Sequence, residues 1–453
     1  YSSASGRIHN YNADRISALT LYMLCFPDNK GTAENDNKDN FDFFYDHVLN
    51  EKNAWSLPTM FKNGIYDAGK EYGGMWCENM RYHNSVLSGW ILAAKALDRY
   101  DSSANWLQSD ELRKMSRMWC TTQGPRLVVS TTARNLAGYP TVGDSSWRES
   151  VDMAAWCASI YQKTDPELSK ELMYTWDRMG SQLGGSYPIN ILMDIDTTLP
   201  RKNPQLNSMS LEKVGYTYFW QNFDVLGKEN FVLIPNSPGY GNKKQTIHDH
   251  HDRGSFAYIA NGTPMSLDSG MGAYFGSDSA FWRSSKSHNE ILFWSDKKGQ
   301  WLSNAGGDGN SYTSDTGKKK YYDSKTKEFY TSAELDRVTI NVNPAVRDKK
   351  ETNMQWNRHF AYIKDGINAL IFWDEVKNTR RSQFNLFMAS TDYTQNGDMV
   401  LAQMQNNMQM EVHLLGSDSP EIVGSWVPSA GKYGIPTVNG EEQQQRIQYE
   451  QEN

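Results

Sequence analysis

Cysteine is scarce in this chain. Cys25, Cys77, Cys120 and Cys157 all fall within the first 157 of 453 residues, and no two stand in a CxxC spacing. That argues against a disulfide framework, and the apolar helical patterns around the four predict buried free thiols. Long apolar runs are missing as well: no stretch reaches the roughly 18 residues of a membrane-spanning helix. Basic blocks are missing beyond Lys318-Lys319-Lys320, and the formal net charge is -7. No broad positive field therefore draws in nucleic acid, and an anionic ligand must be met by a local cluster of donors. The chain opens at Tyr1-Ser2-Ser3 without a signal peptide, as expected of a mature or truncated product. Nothing in the pattern speaks to an oligomeric state.

Aromatics are abundant, with 15 Trp and 25 Tyr. Such an excess of flat rings either fills cores or lines a sugar-binding cleft. A chain of 453 residues exceeds one ordinary core, so two or three domains are expected. From about residue 10 to 200 apolar residues recur at helical spacing, as in Val86-Leu87, Trp90-Ile91, Ala94 and Leu97. Further helices are predicted over 13–24, 42–49, 109–120, 150–162 and 166–180. The long connection 128–146 exceeds what a compact bundle needs and is expected to be functional or disordered. At Leu199-Pro200-Arg201-Lys202-Asn203-Pro204 the helical period stops. Beyond it the pattern alternates, as in Arg337-Val338-Thr339-Ile340-Asn341-Val342, and Asp365-Gly366 marks a hairpin turn. More strands are predicted over 384–388, 399–404 and 408–415. The chain thus reads as a multidomain α+β protein: a helical domain over 1–205 and antiparallel β, most simply stacked sheets, over 206–453.

Four of the nine histidines lie between 248 and 288, in His248-Asp249-His250-His251-Asp252 and Ser287-His288-Asn289. His250, Asp268 and His288 supply two imidazoles and one carboxylate, a donor set suited to zinc, and leave His248 free for other work. A solvated surface tract is the alternative. Against it, 255–259 and 265–268 read as two strands joined by Asn261-Gly262, and an antiparallel pair brings His250 and Asp268 together.

The string His248 to Phe256, then Asn261-Gly262-Thr263-Pro264-Met265-Ser266-Leu267-Asp268-Ser269-Gly270, Tyr274, and Arg283-Ser284-Ser285-Lys286-Ser287-His288-Asn289 resembles the β-domain signature of the heparinase II/III-like polysaccharide lyases. That family includes alginate lyases and glycosaminoglycan lyases. The resemblance implies an incomplete (α/α) toroid followed by an antiparallel β-sandwich. It also implies a structural zinc on His250, Asp268 and His288, with His248 and Tyr274 facing substrate. In the helical half, Asn79-Met80-Arg81-Tyr82-His83-Asn84 matches the family's carboxylate-gripping segment, and Tyr139 its proton-transferring tyrosine by spacing, although Gly143-Asp144-Ser145-Ser146 follows that tyrosine where the family often has a DGS-like stretch before it. Tyr161 and Tyr187 are the other tyrosines nearby.

Such enzymes remove the C5 proton of a uronate and expel the C4 oxygen, so donors must neutralise the carboxylate while an acid and a base serve the two atoms. Asn79, His83 and Asn84 can donate, Arg81 and Arg134 can add charge, and Arg148 and Arg283 can line further subsites. Tyr139, His248, His83 and Tyr274 are the candidate catalytic groups. An acidic polysaccharide is the implied partner, alginate favoured over glycosaminoglycans because no dense basic run suggests sulfate binding, and a secreted, periplasmic or cell-surface location follows from the family. A zinc hydrolase with Asp252 as base, or a non-catalytic carbohydrate-binding protein, are the competing classes.

Overall fold

The computed structural model describes residues 10–28, 40–53, 56–128, 135–139, 141–145, 147, 152–181, 194–236, 250, 252–268, 270, 284–295, 299–302, 312–313, 319–320, 324–342, 355–377, 381–415, 420–426, 437–438 and 441–452. It divides into two compact units. The first comprises 1–122, 149–204 and 243–247; the second comprises 123–148, 205–242 and 248–453. The change of character near residue 205 is where the sequence pattern breaks. Segment 123–148 was expected in the helical half, yet it belongs to the β unit.

Among the described residues the first unit is built from seven helices: Asn10–Cys25, Asn40–Leu49, Leu57–Gly64, Met80–Tyr100, Asp110–Thr121, Asp152–Tyr161 and Pro166–Arg178. Their starts follow local chemistry. Ser109 accepts from the Leu112 amide, Asp165 accepts from the Leu168 amide, and Pro166 occupies a first-turn position that needs no amide donor. Helix Met80–Tyr100 buries His83, Val86, Leu87, Trp90, Ile91, Ala94 and Leu97, the spacing of one helical face. Gly89 lets this helix approach Asn10–Cys25, because a Cβ there would stand 2.9 Å from Ser17 Oγ. A short hairpin, Ile65–Gly69 with Gly73–Trp76, was not foreseen. It seats Trp76 edge-on against Trp90 at 5.2 Å.

The second unit holds several antiparallel sheets. A five-stranded meander runs in sequence order through Met209–Leu211, Tyr216–Gln221, Asn230–Pro235, Ala257–Ala260 and Thr263–Ser266. Every residue of Asn230–Pro235 is buried, which explains why that run does not alternate. The last two strands form the expected hairpin. Asn261 and Gly262 both take positive φ (50° and 70°), the conformation of a tight two-residue turn. A four-stranded sheet, Ser324–Thr331, Leu335–Val342, Gln355–Ile363 and Ala369–Lys377, alternates as read, with Val338, Ile340, Trp356, Phe360 and Tyr362 inward. Its inner face packs on the meander through Phe256 against Phe360 (5.8 Å) and Phe372 (5.1 Å), and through Phe219 stacked on Tyr362. Strands Ile291–Ser295, Arg381–Met388 and the polar Glu441–Glu452 belong to a further sheet. Glu441–Glu452 carries the run Glu-Glu-Gln-Gln-Gln and gave no strand signal.

The largest buried side chains include Trp76, Trp90, Trp119, Trp156 and Trp356, so much of the aromatic excess is core. None of the four cysteines forms a disulfide; Cys77, Cys120 and Cys157 are buried, whereas Cys25, expected to be buried, is exposed. Among the described residues no helix is long and apolar enough to cross a membrane.

Candidate metal centre and neighbouring site residues

His250, Asp268 and His288 converge. Each offers one ligand atom within 4.8 Å of the others, and all three residues are buried. His250 precedes strand Ala257–Ala260, Asp268 follows Thr263–Ser266, and His288 lies between a single 3-10 turn, Ser285–Ser287, and strand Ile291–Ser295. Pairing in the five-stranded sheet therefore delivers the first two, and the third arrives from a different sheet.

The hydrogen bonds sort the ring nitrogens. His250 Nε2 donates to Asp144 Oδ1 at 2.9 Å, and His288 Nδ1 donates to Asp268 Oδ2 at 2.9 Å. The opposite nitrogens, His250 Nδ1 and His288 Nε2, are buried and have no hydrogen-bond partner among the described residues. A buried polar atom left unsatisfied costs about 1–3 kcal/mol. Two such atoms beside a buried carboxylate are the chemistry of a cation site, His250 being oriented from behind by the Asp144 carboxylate. The residues present fit a divalent metal.

The electrostatics agree. Burial pulls His288 toward the neutral form, yet the Asp268 carboxylate, reinforced by Asp252 and Glu290, outweighs it and raises its pKa to about 9. Burial likewise pushes Asp268 up, but His288, His250 and the Gly270 amide hold it below the ordinary carboxylate range. The pocket is thus organised to keep a positive charge beside Asp268.

Asp144 is the residue that sequence reasoning missed. It stands 106 positions from His250, and no local spacing signals the pair. Its segment docks on the Asp268 loop: Thr141 Oγ1 donates to the Asp268 carbonyl at 3.3 Å. Gly270, at φ 60°, leaves no room for a Cβ, which would sit 3.0 Å from both Thr141 Cβ and Ser145 O. Tyr139 lies on this same segment, fully buried, just after Gly138, whose Cα packs on the Trp147 ring so closely that a Cβ would meet it at 2.5 Å.

In the helical unit, Asn79 caps helix Met80–Tyr100, its Oδ1 accepting from the Arg81 amide at 3.2 Å. Asn79 and Asn84 are buried, and Arg81 is partly exposed. His83 is fully buried: Nδ1 accepts from the Trp76 amide (3.0 Å) and Nε2 donates to the Met115 carbonyl (3.0 Å). With both nitrogens held by backbone, His83 joins the hairpin, the long helix and helix Asp110–Thr121. His248, Tyr274, Arg134, Arg148, Arg283 and Tyr187 lie outside the described residues. Tyr161 is buried, and burial raises its phenol far above the ordinary range, which suits a core residue.

Burial lowers His83 to about 4. The folded state therefore keeps it neutral while the unfolded chain takes up a proton below about 6.5. Its contribution is fully present above pH 6.5 and is lost as pH falls toward 4. Urea unfolding at pH 6.5 and pH 5 is expected to show about 2 kcal/mol of His83-dependent loss, the slope of one proton. His83→Gln should remove that part of the slope; parallel pH profiles for the two proteins would show that His83 is not held neutral.

Comparison with known proteins adds four findings. Residues 203–427 match the family model "Heparinase II/III-like, C-terminal". The chain is similar to the crystal structure of heparan sulfate lyase HepC from Pedobacter heparinus, at 13% identity and a TM-score of 0.61, covering 97% of this chain and 56% of that one. It is likewise similar to the crystal structure of a heparinase III, at 15% identity and a TM-score of 0.62, covering 98% and 59%. At such identities the likeness is one of fold, and this chain spans little more than half the length of either. Among curated proteins no sequence matches.

Proposed function

We propose that this chain, whose residues 203–427 match the heparinase II/III-like family model, is a member of that family and a polysaccharide lyase that cuts a glycosaminoglycan of the heparan sulfate class by β-elimination. The observation that carries this reading is the convergence of His250, Asp268 and His288, braced by Asp144 on the segment that bears Tyr139. The alginate preference expected from the lack of a dense basic run gives way here, because the similar structures are named for heparan sulfate and heparin. The physical reason is simple: sulfate can be met by basic residues distant in sequence, which no linear run reveals. We read the seven helices as part of an (α/α) toroid and the stacked sheets as the sandwich, on the same likeness of fold. A polymer of this size is met outside the cytosol, so we place the activity in the periplasm, at the cell surface or beyond it.

In the proposed chemistry the uronate carboxylate is neutralised by side-chain donors, for which Asn79, Asn84 and Arg81 are the assigned residues. The Tyr139 phenol, or His248 for the opposite C5 epimer, removes the C5 proton, and the phenol can return a proton to the C4 oxygen as it leaves. His250, Asp268 and His288 would hold zinc, which supplies charge and rigidity to the loop following His248 and takes no part in proton transfer. Tyr274 and the basic residues Arg134, Arg148 and Arg283 are assigned to substrate binding.

Incubation with heparan sulfate, chondroitin, hyaluronan and alginate, followed by ultraviolet absorbance of the new double bond, tests this directly. Unsaturated ends from heparan sulfate are expected. Product from alginate alone would overturn the substrate class, and cleavage without an unsaturated product would replace elimination with hydrolysis.

A further inference from the structure

Arg358 is fully buried in the middle of strand Gln355–Ile363, and its five donors are distributed in an unusual way. Across the strand pair it meets Asp374 as a two-point fork, Nε to Oδ1 at 2.7 Å and Nη2 to Oδ2 at 2.9 Å. Trp356 Nε1 donates to the same Asp374 Oδ1. Rings of Trp356, Phe360, Phe372 and Phe384 surround the guanidinium, with centroids 4.9–5.9 Å from its central carbon. A cross-strand ion pair would need no more than this.

The remaining nitrogen does something else. Arg358 Nη1 donates to the carbonyl of Gly254 at 2.7 Å and to the carbonyl of Asn289 at 2.6 Å. Neither residue belongs to the four-stranded sheet. Gly254 stands four positions after His250, and Asn289 directly follows His288. One rigid, charged fork thus grips both histidine-bearing loops from below.

The loops are prepared for that grip. Gly254 has φ 84°, its amide donates to the Pro235 carbonyl at 2.8 Å, and a Cβ there would stand 2.9 Å from Val342 Cγ2. Its carbonyl is therefore aimed by a backbone conformation that favours glycine. Asn289 sends its amide to Ser255 Oγ (3.1 Å) and its side-chain NH2 to the Phe256 carbonyl (2.6 Å) and Ser266 Oγ (2.8 Å), while its Oδ1 accepts from the Phe387 amide (2.7 Å). Ser266 is two residues from Asp268. Asn289 thereby ties the His288 loop to the strands carrying the other two ligands, and Arg358 closes the ring.

We infer that Arg358, held by Asp374, is the positioning residue of the metal centre: it sets the separation of His250 and His288 through the Gly254 and Asn289 carbonyls, a role that rests on the metal reading above. Lysine keeps the charge but offers one ammonium, which cannot hold two carbonyls and a bidentate carboxylate together.

Cobalt titration of the metal-free protein, read by affinity and by the visible ligand-field absorption, provides the test. The wild type is expected to bind one Co²⁺ per chain. Arg358→Lys should bind about 10–100-fold more weakly, with a displaced absorption band. Asp374→Asn, which leaves both carbonyl contacts but frees the fork, should show a smaller loss of the same kind and serves if the lysine variant does not fold. Val338→Ala, a buried truncation in the adjacent strand, controls for general loosening and should keep affinity within about twofold with an unchanged spectrum. Wild-type affinity and spectrum in Arg358→Lys or, where that variant does not fold, in Asp374→Asn would overturn the inference, as would an equal loss in Val338→Ala. A wild-type protein that takes up no Co²⁺, while its unfolding is cooperative, would overturn the metal reading itself.

Discussion

Tyr139→Phe is expected to lower turnover on heparan sulfate by a factor on the order of 10²–10⁴, the usual contribution of a positioned proton-transfer group. Phenylalanine is the informative substitution because the Tyr139 ring is fully buried in the β unit, beside Gly138 and the Trp147 ring that packs on it. Removing the ring would open a cavity and confound chemistry with stability; removing the hydroxyl alone leaves the packing. Metal content and unfolding midpoint should therefore stay close to wild type while the rate of double-bond formation collapses. If instead Tyr139 is only a packed aromatic, the variant will turn over like the parent, and the proton must be sought on His248. An unphosphorylated, unmodified phenol also needs a lowered pKa to act as a base near neutrality. A donor-rich surrounding would show itself as a pH–rate profile whose acidic limb, set by deprotonation of the phenol, disappears in the phenylalanine variant.

His288→Ala should have the second large effect, on metal content and on stability together. In the folded chain Asp268 sits buried with its Oδ2 held by His288 Nδ1 and its Oδ1 by the Gly270 amide. Alanine removes a ligand and also strands a buried carboxylate, a loss on the order of 3–5 kcal/mol for a broken buried pair. Metal analysis after dialysis is expected to fall from about one ion per chain to near zero, and chelator should no longer shift the unfolding midpoint of the variant. Asp268→Asn separates the two effects, since the amide keeps the shape while giving up the charge. Retention of a full equivalent of metal by His288→Ala would show that the three residues do not form the site.

Much of the fold was legible because the relevant signals are local. Helices Asp110–Thr121 and Pro166–Arg178 announce themselves through Ser109, Asp165 and Pro166, and the Ala257–Ala260 hairpin through Asn261-Gly262, since caps and turns depend on neighbours in sequence. Elements that failed to announce themselves are stabilised by partners elsewhere. Glu441–Glu452 is polar throughout much of its length and becomes a strand by pairing with Arg381–Met388 and Glu421–Trp426. The hairpin Ile65–Gly69 with Gly73–Trp76 hid inside a helical region, where its glycines read only as breaks.

The same division runs through the site. Residue types and spacing in the His248–Asn289 stretch were enough to single out His250, Asp268 and His288, because a metal needs a particular donor set and a hairpin brings two of its members together. Only the folded chain showed that Asp144 orients His250, that segment 123–148 leaves the helices to join the sheets, that His83 has both nitrogens bound to backbone, and that Arg358 grips the two loops. Each of these depends on contacts spanning tens to more than a hundred residues. Pairing at such distances is decided by how strands register and helices pack, and no local pattern of side chains encodes it.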